Sequence, residues 1–300
     1  MAAQAVAREV LCALRRDIAK IEGRLAERLE PAGTDMTVLR RGGVAGPLLR
    51  TGAPGFDAAL GGGLPMSGLT EIHGSQTRDA GAVAGFALAL AATGFAQTGE
   101  TAPSLWIAAG DGFREAGMPY APGLAYRFGI PASGLLLSPV RKPEDALWVA
   151  EEAATLAAFS AIFLEIRGFV RRLDLTATRR LHRRAQGAER PFYLLRQAGH
   201  AEPTAAPMRL VVSPAPAAAR QLLSGPLTGS IGPPAFSVEI AKNSFSGPVQ
   251  FILEWNDDER TFHERPTAGA QDIGAVVSAS SDRSDIAEKT GQIVALMGAA

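Results

Sequence analysis

The residues best placed to do chemistry lie between an apolar strand and an apolar helix. Leu69-Thr70-Glu71-Ile72-His73 reads as a short strand, a loop opens at Gly74, and Ala80 to Ala96 is rich in Ala, Val, Leu and Phe, as suits a buried helix. A strand, a glycine-opened loop and a helix form the setting of a phosphate-binding loop. Such a loop aims backbone N–H groups, and the positive end of the helix dipole, at phosphate oxygens. Its pattern is Gly, four residues, Gly, Lys, then Ser or Thr. The Lys offsets phosphate charge and the hydroxyl holds Mg²⁺.

That pattern fails in both registers that the glycines allow. Counted from Gly74, the second Gly slot holds Asp79, the Lys slot Ala80 and the hydroxyl slot Gly81. With Gly81 in the second Gly slot, Ala82 and Val83 fill the other two. Arg78 is the only cation in the loop, and a planar guanidinium does not replace a compact ammonium there. Asp79 adds repulsion against a triphosphate. Glu165 follows the apolar strand Ala161–Leu164, where a carboxylate would normally reach Mg²⁺ through water. Asp111, after the strand Ser104–Ala108, is either a stand-in for a water-activating carboxylate or a turn residue beside Gly110 and Gly112. The expectation is no catalytic residue, no cofactor and no metal, with Gly74, Arg78, Asp79, Ala80, Gly81 and Glu165 as remnants of a nucleotide site.

Arginines form the second candidate. Nine of them lie from Arg167 to Arg196, against Asp174 and Glu189. Arg179, Arg180, Arg183 and Arg184 are spaced to project from one side of a helix running from about Thr176 to Ala188. With Arg167, Arg171 and Arg172 they make a patch that can neutralise phosphates, with strong salt dependence. The other readings are an acidic protein partner, or a solvated helix face paired with acidic neighbours. The His residues are scattered without ligand spacing. His73 reads as core or lip, His182 as part of the basic helix face, and His200 and Glu202 as loop surface. Trp106, Trp148 and Trp255 read as core rather than base-stacking platforms.

The elements that must position these residues follow from periodicity. Short apolar strands alternate with helices, which indicates an α/β fold with a mainly parallel sheet covered on both faces. After Leu135–Ser138, a helix from Pro143 to Phe159 leads to the strand that Glu165 ends. Beyond the arginine helix come strands at Pro191–Leu195, Met208–Val212, Phe236–Ala241 and Val249–Trp255. The last of these have no helices between them and suggest an antiparallel extension at one edge. Residues 1–40 read as an amphipathic helix and linker, with Val10, Leu14, Ile18, Ile21, Leu25 and Leu29 on one face. That helix either packs on its own domain or docks a partner or a neighbouring copy. The core spans 41–267. Residues 268–300, rich in Ala, Ser, Gly and Asp, read as a mostly disordered tail.

Composition narrows the function classes. Thirty basic residues balance thirty acidic ones, so no global field draws the protein to nucleic acid, and any contact needs a local patch. Only four of the thirty are lysines, at 20, 142, 242 and 289. Cys12 is the sole cysteine, which excludes an internal disulfide and a thiolate metal site. No stretch reads as the roughly 20 consecutive apolar residues that span a bilayer. The N-terminus, with Arg8, Arg15 and Arg16, lacks the apolar core of a signal peptide, so a cytoplasmic location and no membrane contact are expected.

Several segments carry a family likeness. Gly61 to Gly74, GGGLPMSGLTEIHG, is similar to the strand entering the phosphate loop of RecA recombinases. Pro122 to Ile130 (PGLAYRFGI), Leu135-Leu136 and Glu144 to Leu147 resemble the RecA stretch leading to its Mg²⁺-binding strand. FDAALGGG at Phe56 to Gly63, YAPG at Tyr120 to Gly123, Ala146-Leu147-Trp148 with Glu151-Glu152, and Leu253-Glu254-Trp255 resemble landmarks of the ImuA family. The likeness covers roughly residues 50 to 260. It implies a RecA-like fold and a non-catalytic accessory protein of SOS-induced, error-prone translesion DNA synthesis. The implied partners are an ImuB-type polymerase-like protein and an error-prone replicative-type polymerase, with DNA or RecA as further candidates. Relatives in that family also lack a normal phosphate loop. Two alternatives stay open: an atypical RecA-like ATPase in DNA repair, and an inhibitor of cell division resembling SulA.

Overall fold

The computed structural model describes residues 46–110, 113, 117–199, 201–243 and 247–265. The expected N-terminal helix, the C-terminal tail, Cys12, Asp111 and His200 lie outside the described residues. Nine strands form one sheet: β1 (Gly68–Gly74), β2 (Ser104–Ala109), β3 (Leu135–Val140), β4 (Ile162–Arg167), β5 (Pro191–Gln197), β6 (Met208–Ala215), β7 (Ala235–Lys242), β8 (Val249–Asn256) and β9 (Thr261–Arg265). Their order across the sheet is β9-β8-β7-β6-β1-β5-β4-β2-β3. Strands β1 to β6 are mutually parallel, and β7, β8 and β9 add to β6 in antiparallel fashion. The expected edge extension is present, and β9 adds a strand that periodicity did not signal.

Helices cover both faces. On one side α1 (Ala80–Thr98) and α2 (Ala121–Phe128) pack into a core with Ile72, Trp106, Phe163 and Leu195. On the other, α3 (Pro143–Ala153) and α4 (Leu175–Gly187) cover Leu69, Ile107, Leu164 and Leu194. The residues of each parallel strand thus alternate between two cores, as a sheet buried on both faces requires. The helix expected to reach Phe159 stops at Ala153, where the Thr155 hydroxyl donates to the Glu152 carbonyl at 2.7 Å and the chain turns toward β4. The segment Thr77–Thr98 is long and apolar enough, by length and composition, to cross a membrane, contrary to the sequence expectation. In this fold ten residues of α1 are buried within the protein, from Ala80 to Thr93.

Aromatic side chains link the strands beneath α1. Trp106 on β2 stacks on Phe163 of β4 at 5.0 Å between ring centroids, and Phe163 stacks on Tyr193 of β5 at 5.3 Å. Each such pair contributes about 0.5–1.5 kcal/mol beyond its buried area. Burial raises the Tyr193 hydroxyl's pKa above the usual phenol range. A second cluster, Phe86, Phe236, Phe262 and Trp255, binds the antiparallel strands to α1. Trp106 and Trp255 are core, as expected. Trp148 is not: α3 buries Ala146, Leu147, Ala150 and Ala153, and at 3.6 residues per turn Trp148 falls on the opposite side, 67% exposed.

One glycine of the FDAALGGG-to-GGGLPMSGL stretch has a specific task. Gly68 sits at φ +85°, and a Cβ there would lie 2.8 Å from the His182 ring. Its absence lets α4 close onto the start of β1, where His182 Nδ1 accepts the Leu69 N–H at 3.0 Å. His182 therefore belongs to the helix–sheet contact and not to the basic helix face. Burial, and secondarily the Lys242 charge, lower its pKa. The proton that would add to His182 destroys the acceptor, so the neutral ring stabilises the fold. This contribution is complete above the unfolded value of 6.5 and is lost as pH falls below it toward the lower folded value. Urea midpoints followed through that window should drop by about one hydrogen bond, ~1 kcal/mol, relative to His182→Asn, whose amide oxygen keeps the acceptor. Parallel pH profiles for the two proteins would refute this.

Candidate functional site

Ligands of parallel α/β sheets bind beyond the carboxyl ends of the strands, beside a change in strand order. Here that place is the end of β1, whose neighbours β5 and β6 both come much later in the chain. The loop from Gly74 leads through a short 3₁₀ turn, Thr77–Asp79, into α1. Asp79 is only 5% exposed, and its carboxylate accepts the Gln76 N–H at 2.9 Å. The Asp79 N–H is in turn bound by Gln76, through both its carbonyl and its side chain. The loop has closed on its own carboxylate, at the spot where the dipole of α1 favours an anion. Arg78 is exposed and makes no hydrogen bond or ion pair with any described residue. Ala80 is buried, whereas Gly81 is exposed and a Cβ there would meet nothing within 4 Å.

Glu165 corrects the sequence reading in a more consequential way. Strand β4 continues to Arg167, because Ile166 and Arg167 keep the parallel ladder with Arg196 and Gln197 of β5. Glu165 therefore sits inside the strand, 4% exposed, with its side chain in the core under α1. One carboxylate oxygen accepts the Trp106 indole N–H at 3.0 Å and the other accepts the Gln197 amide at 2.9 Å. Burial pushes its pKa up, with the Trp106 hydrogen bond opposing. Two neutral donors hold it, and no cation offsets its charge among the described residues. Gln197, the residue that completes this arrangement, gave no sequence signal of its own.

These donors do not fit a magnesium triphosphate. Both Glu165 oxygens are engaged, the loop offers no hydroxyl in the metal position, and Asp79 would oppose the phosphates. Among the described residues no group of three or more His, Cys, Asp or Glu is arranged to hold a metal. The cavity beside the start of α1, about 390 Å³, is lined by Gly81, Ala82, Gly85, Phe128, Phe236 and Trp255 together with Ala and Pro, and holds no ionisable group.

The arginine patch divides in two. Arg167, at the end of β4, donates to Gln197, while Arg171 and Arg172 are exposed in the connection to α4 beside Phe169, itself 75% exposed. On α4, the four arginines meet different surroundings. Arg180 and Arg184 lean onto α3, where they pair with Glu151 and Glu152 at 2.8 and 3.2 Å. Arg179 and Arg183 point to solvent and have no partner among the described residues. The reading as a helix face paired with acidic neighbours holds for one pair of arginines and not for the other.

The far side of the sheet holds a charge network that sequence reasoning missed. Glu71, wholly buried on β1, accepts from His73 at 2.9 Å and from Arg209 of β6 at 3.0 Å, with Arg196 of β5 3.8 Å away. Burial alone would raise the Glu71 pKa, but the His73 hydrogen bond and the Arg209 charge more than offset it and hold it low. Arg196 also pairs with Glu202, which is therefore no simple loop-surface residue. Lys242 donates to the carbonyls of Thr204 and Ala206, fixing the β5–β6 connection over the network. A charged residue in mid-strand of a central, doubly buried strand was the available clue, since such a residue must be paired.

Set beside models of known protein families and beside curated protein sequences, the chain matches none.

Proposed function

We propose that this chain is a RecA-like accessory protein that works by binding partners and not by turning over nucleotide. Its place would be an error-prone translesion synthesis complex, with an ImuB-type polymerase-like protein as its main partner. The observation that carries the first half is that Glu165 and Asp79, two carboxylates beside the place a nucleotide would take, are both consumed inside the protein. The six parallel strands with an antiparallel edge agree with the fold that the ImuA resemblance implies. The choice of translesion synthesis rests on that resemblance. We assign nucleic-acid contact to Arg167, Arg171 and Arg172 with the exposed ring of Phe169, because guanidinium groups beside an aromatic face suit phosphates and an unstacked base.

Glu165→Gln separates this reading from an atypical ATPase. The amide keeps the shape, accepts from Trp106 and donates to a reoriented Gln197 side chain. Because the carboxylate's pKa is raised, its ionised form costs stability, and this cost grows as pH rises through 4.5 and beyond. The variant should unfold at a higher temperature than the native protein at neutral pH, the gap widening with pH, and neither protein should hydrolyse Mg-ATP. Turnover in the native protein that Glu165→Gln abolishes would overturn the proposal. Co-purification of the full chain with an ImuB-type polymerase-like protein, repeated after deleting 1–30 or 268–300, tests the partner assignment.

A further inference from the structure

The outer surface of α3 and α4 holds features that neither the fold nor the proposed activity uses. Trp148 is 67% exposed at its centre. Both helices return from the carboxyl to the amino ends of parallel strands, so they lie side by side and run in the same direction. Their relative level is set by Glu151, whose carboxylate accepts from Arg180 at 2.8 and 3.0 Å and whose carbonyl accepts from Arg184 at 2.7 Å. Residue 151 thus stands between residues 180 and 184. One turn earlier, Trp148 stands level with Arg179, and Glu152 stands level with Arg183. Arg179 and Arg183 are the two arginines of α4 left without a partner among the described residues.

We propose that this surface is where two copies of the chain meet, about a two-fold axis parallel to the helices and running between them. Such an axis lays α3 of one copy on α4 of the other at the same level. Trp148 then meets Arg179 of the second copy, and Glu152 meets Arg183 of the second copy, each contact occurring twice. A guanidinium over an indole face gains from the ring quadrupole as well as from burial of the ring. Charge argues for a second copy over nucleic acid. The α3 stripe is acidic and the α4 stripe basic, four charges against four (Glu144, Asp145, Glu151, Glu152; Arg179, Arg180, Arg183, Arg184), so phosphates near α4 would also face the carboxylates of α3. The striped surface is complementary to itself when turned about that axis. This inference stands apart from the translesion reading.

Sedimentation of the full chain over a range of concentrations should show a monomer–dimer equilibrium. Dilution should shift tryptophan emission to the red, since Trp106 and Trp255 are buried within one copy and Trp148 is covered only in the dimer. Trp148→Ala and the pair Arg179→Ala with Arg183→Ala should each weaken association about 30-fold or more, as loss of a central aromatic or arginine anchor does. Circular dichroism should show both folded, because the substituted side chains face solvent. The decisive measurement mixes the two variants: one intact Trp148–Arg179 contact should let them associate more tightly than either does alone. A monomer at every concentration, a dimer indifferent to the substitutions, or a mixture no tighter than its components would overturn the inference. So would loss of a single-stranded oligonucleotide or of the polymerase-like protein by these variants with sedimentation unchanged.

Discussion

Glu71→Ala should lower the unfolding free energy by about 3–5 kcal/mol, the cost of stripping one member from a buried ion pair. Against the 5–15 kcal/mol typical of a domain, this is a large fraction of the total stability. The cause is what remains behind: Arg196 and Arg209 stay under the β5–β6 connection with one carboxylate, Glu202, between them. His73 also loses its acceptor. Glu71→Gln should cost less, since the amide oxygen still accepts. Replacing Glu71 and Arg209 together by Met should recover most of the loss, because a well-packed apolar pair avoids the desolvation of both charges. Denaturant unfolding of the three variants measures this. A loss of under 1 kcal/mol for Glu71→Ala would mean that water reaches the network.

Trp106→Ala should cost a similar amount, about 3–5 kcal/mol, through the cavity left between β2 and α1. Two contacts disappear with it: the stack on Phe163 and the indole donor to Glu165. Trp106→Phe separates them, keeping a ring to stack while leaving one Glu165 oxygen buried without its donor. That variant should lose about 1–3 kcal/mol. In the Glu165→Gln background the penalty should shrink, since a neutral amide is cheaper to leave half satisfied. If Trp106→Phe is neutral at neutral pH, the indole does not hold Glu165, and the case for a sequestered carboxylate weakens.

The architecture was largely readable from pattern. Runs such as Ile162-Phe163-Leu164 and Phe192-Tyr193-Leu194-Leu195 are apolar without alternation, which only a sheet covered on both faces accommodates. The candidate site was legible as an absence: Asp79, Ala80 and Gly81 stand where phosphate chemistry needs Gly, Lys and a hydroxyl. Its positive content was not legible. Glu165 and Gln197 are 32 residues apart, and Trp106 is 59 residues from Glu165. Nothing local to any of them announces the other two. Arg180 and Arg184 looked like the Arg179 and Arg183 beside them until α3 placed Glu151 and Glu152 against one pair alone.

Residue types and their order set what the β1–α1 loop lacks, a lysine and a hydroxyl in the phosphate-loop positions, and which segments become strands. Both are short-range questions, decided by the groups a loop contains and by the periodicity of a segment. Packing decided the rest: that a carboxylate is used up by an indole and an amide, that His182 is an acceptor for a strand, and that Trp148 faces water. Each of those outcomes depends on which side chain a neighbouring element places within about 3 Å, the reach of a hydrogen bond. Distance in space sets that choice, and parallel strands joined by helices bring together residues that the chain keeps far apart.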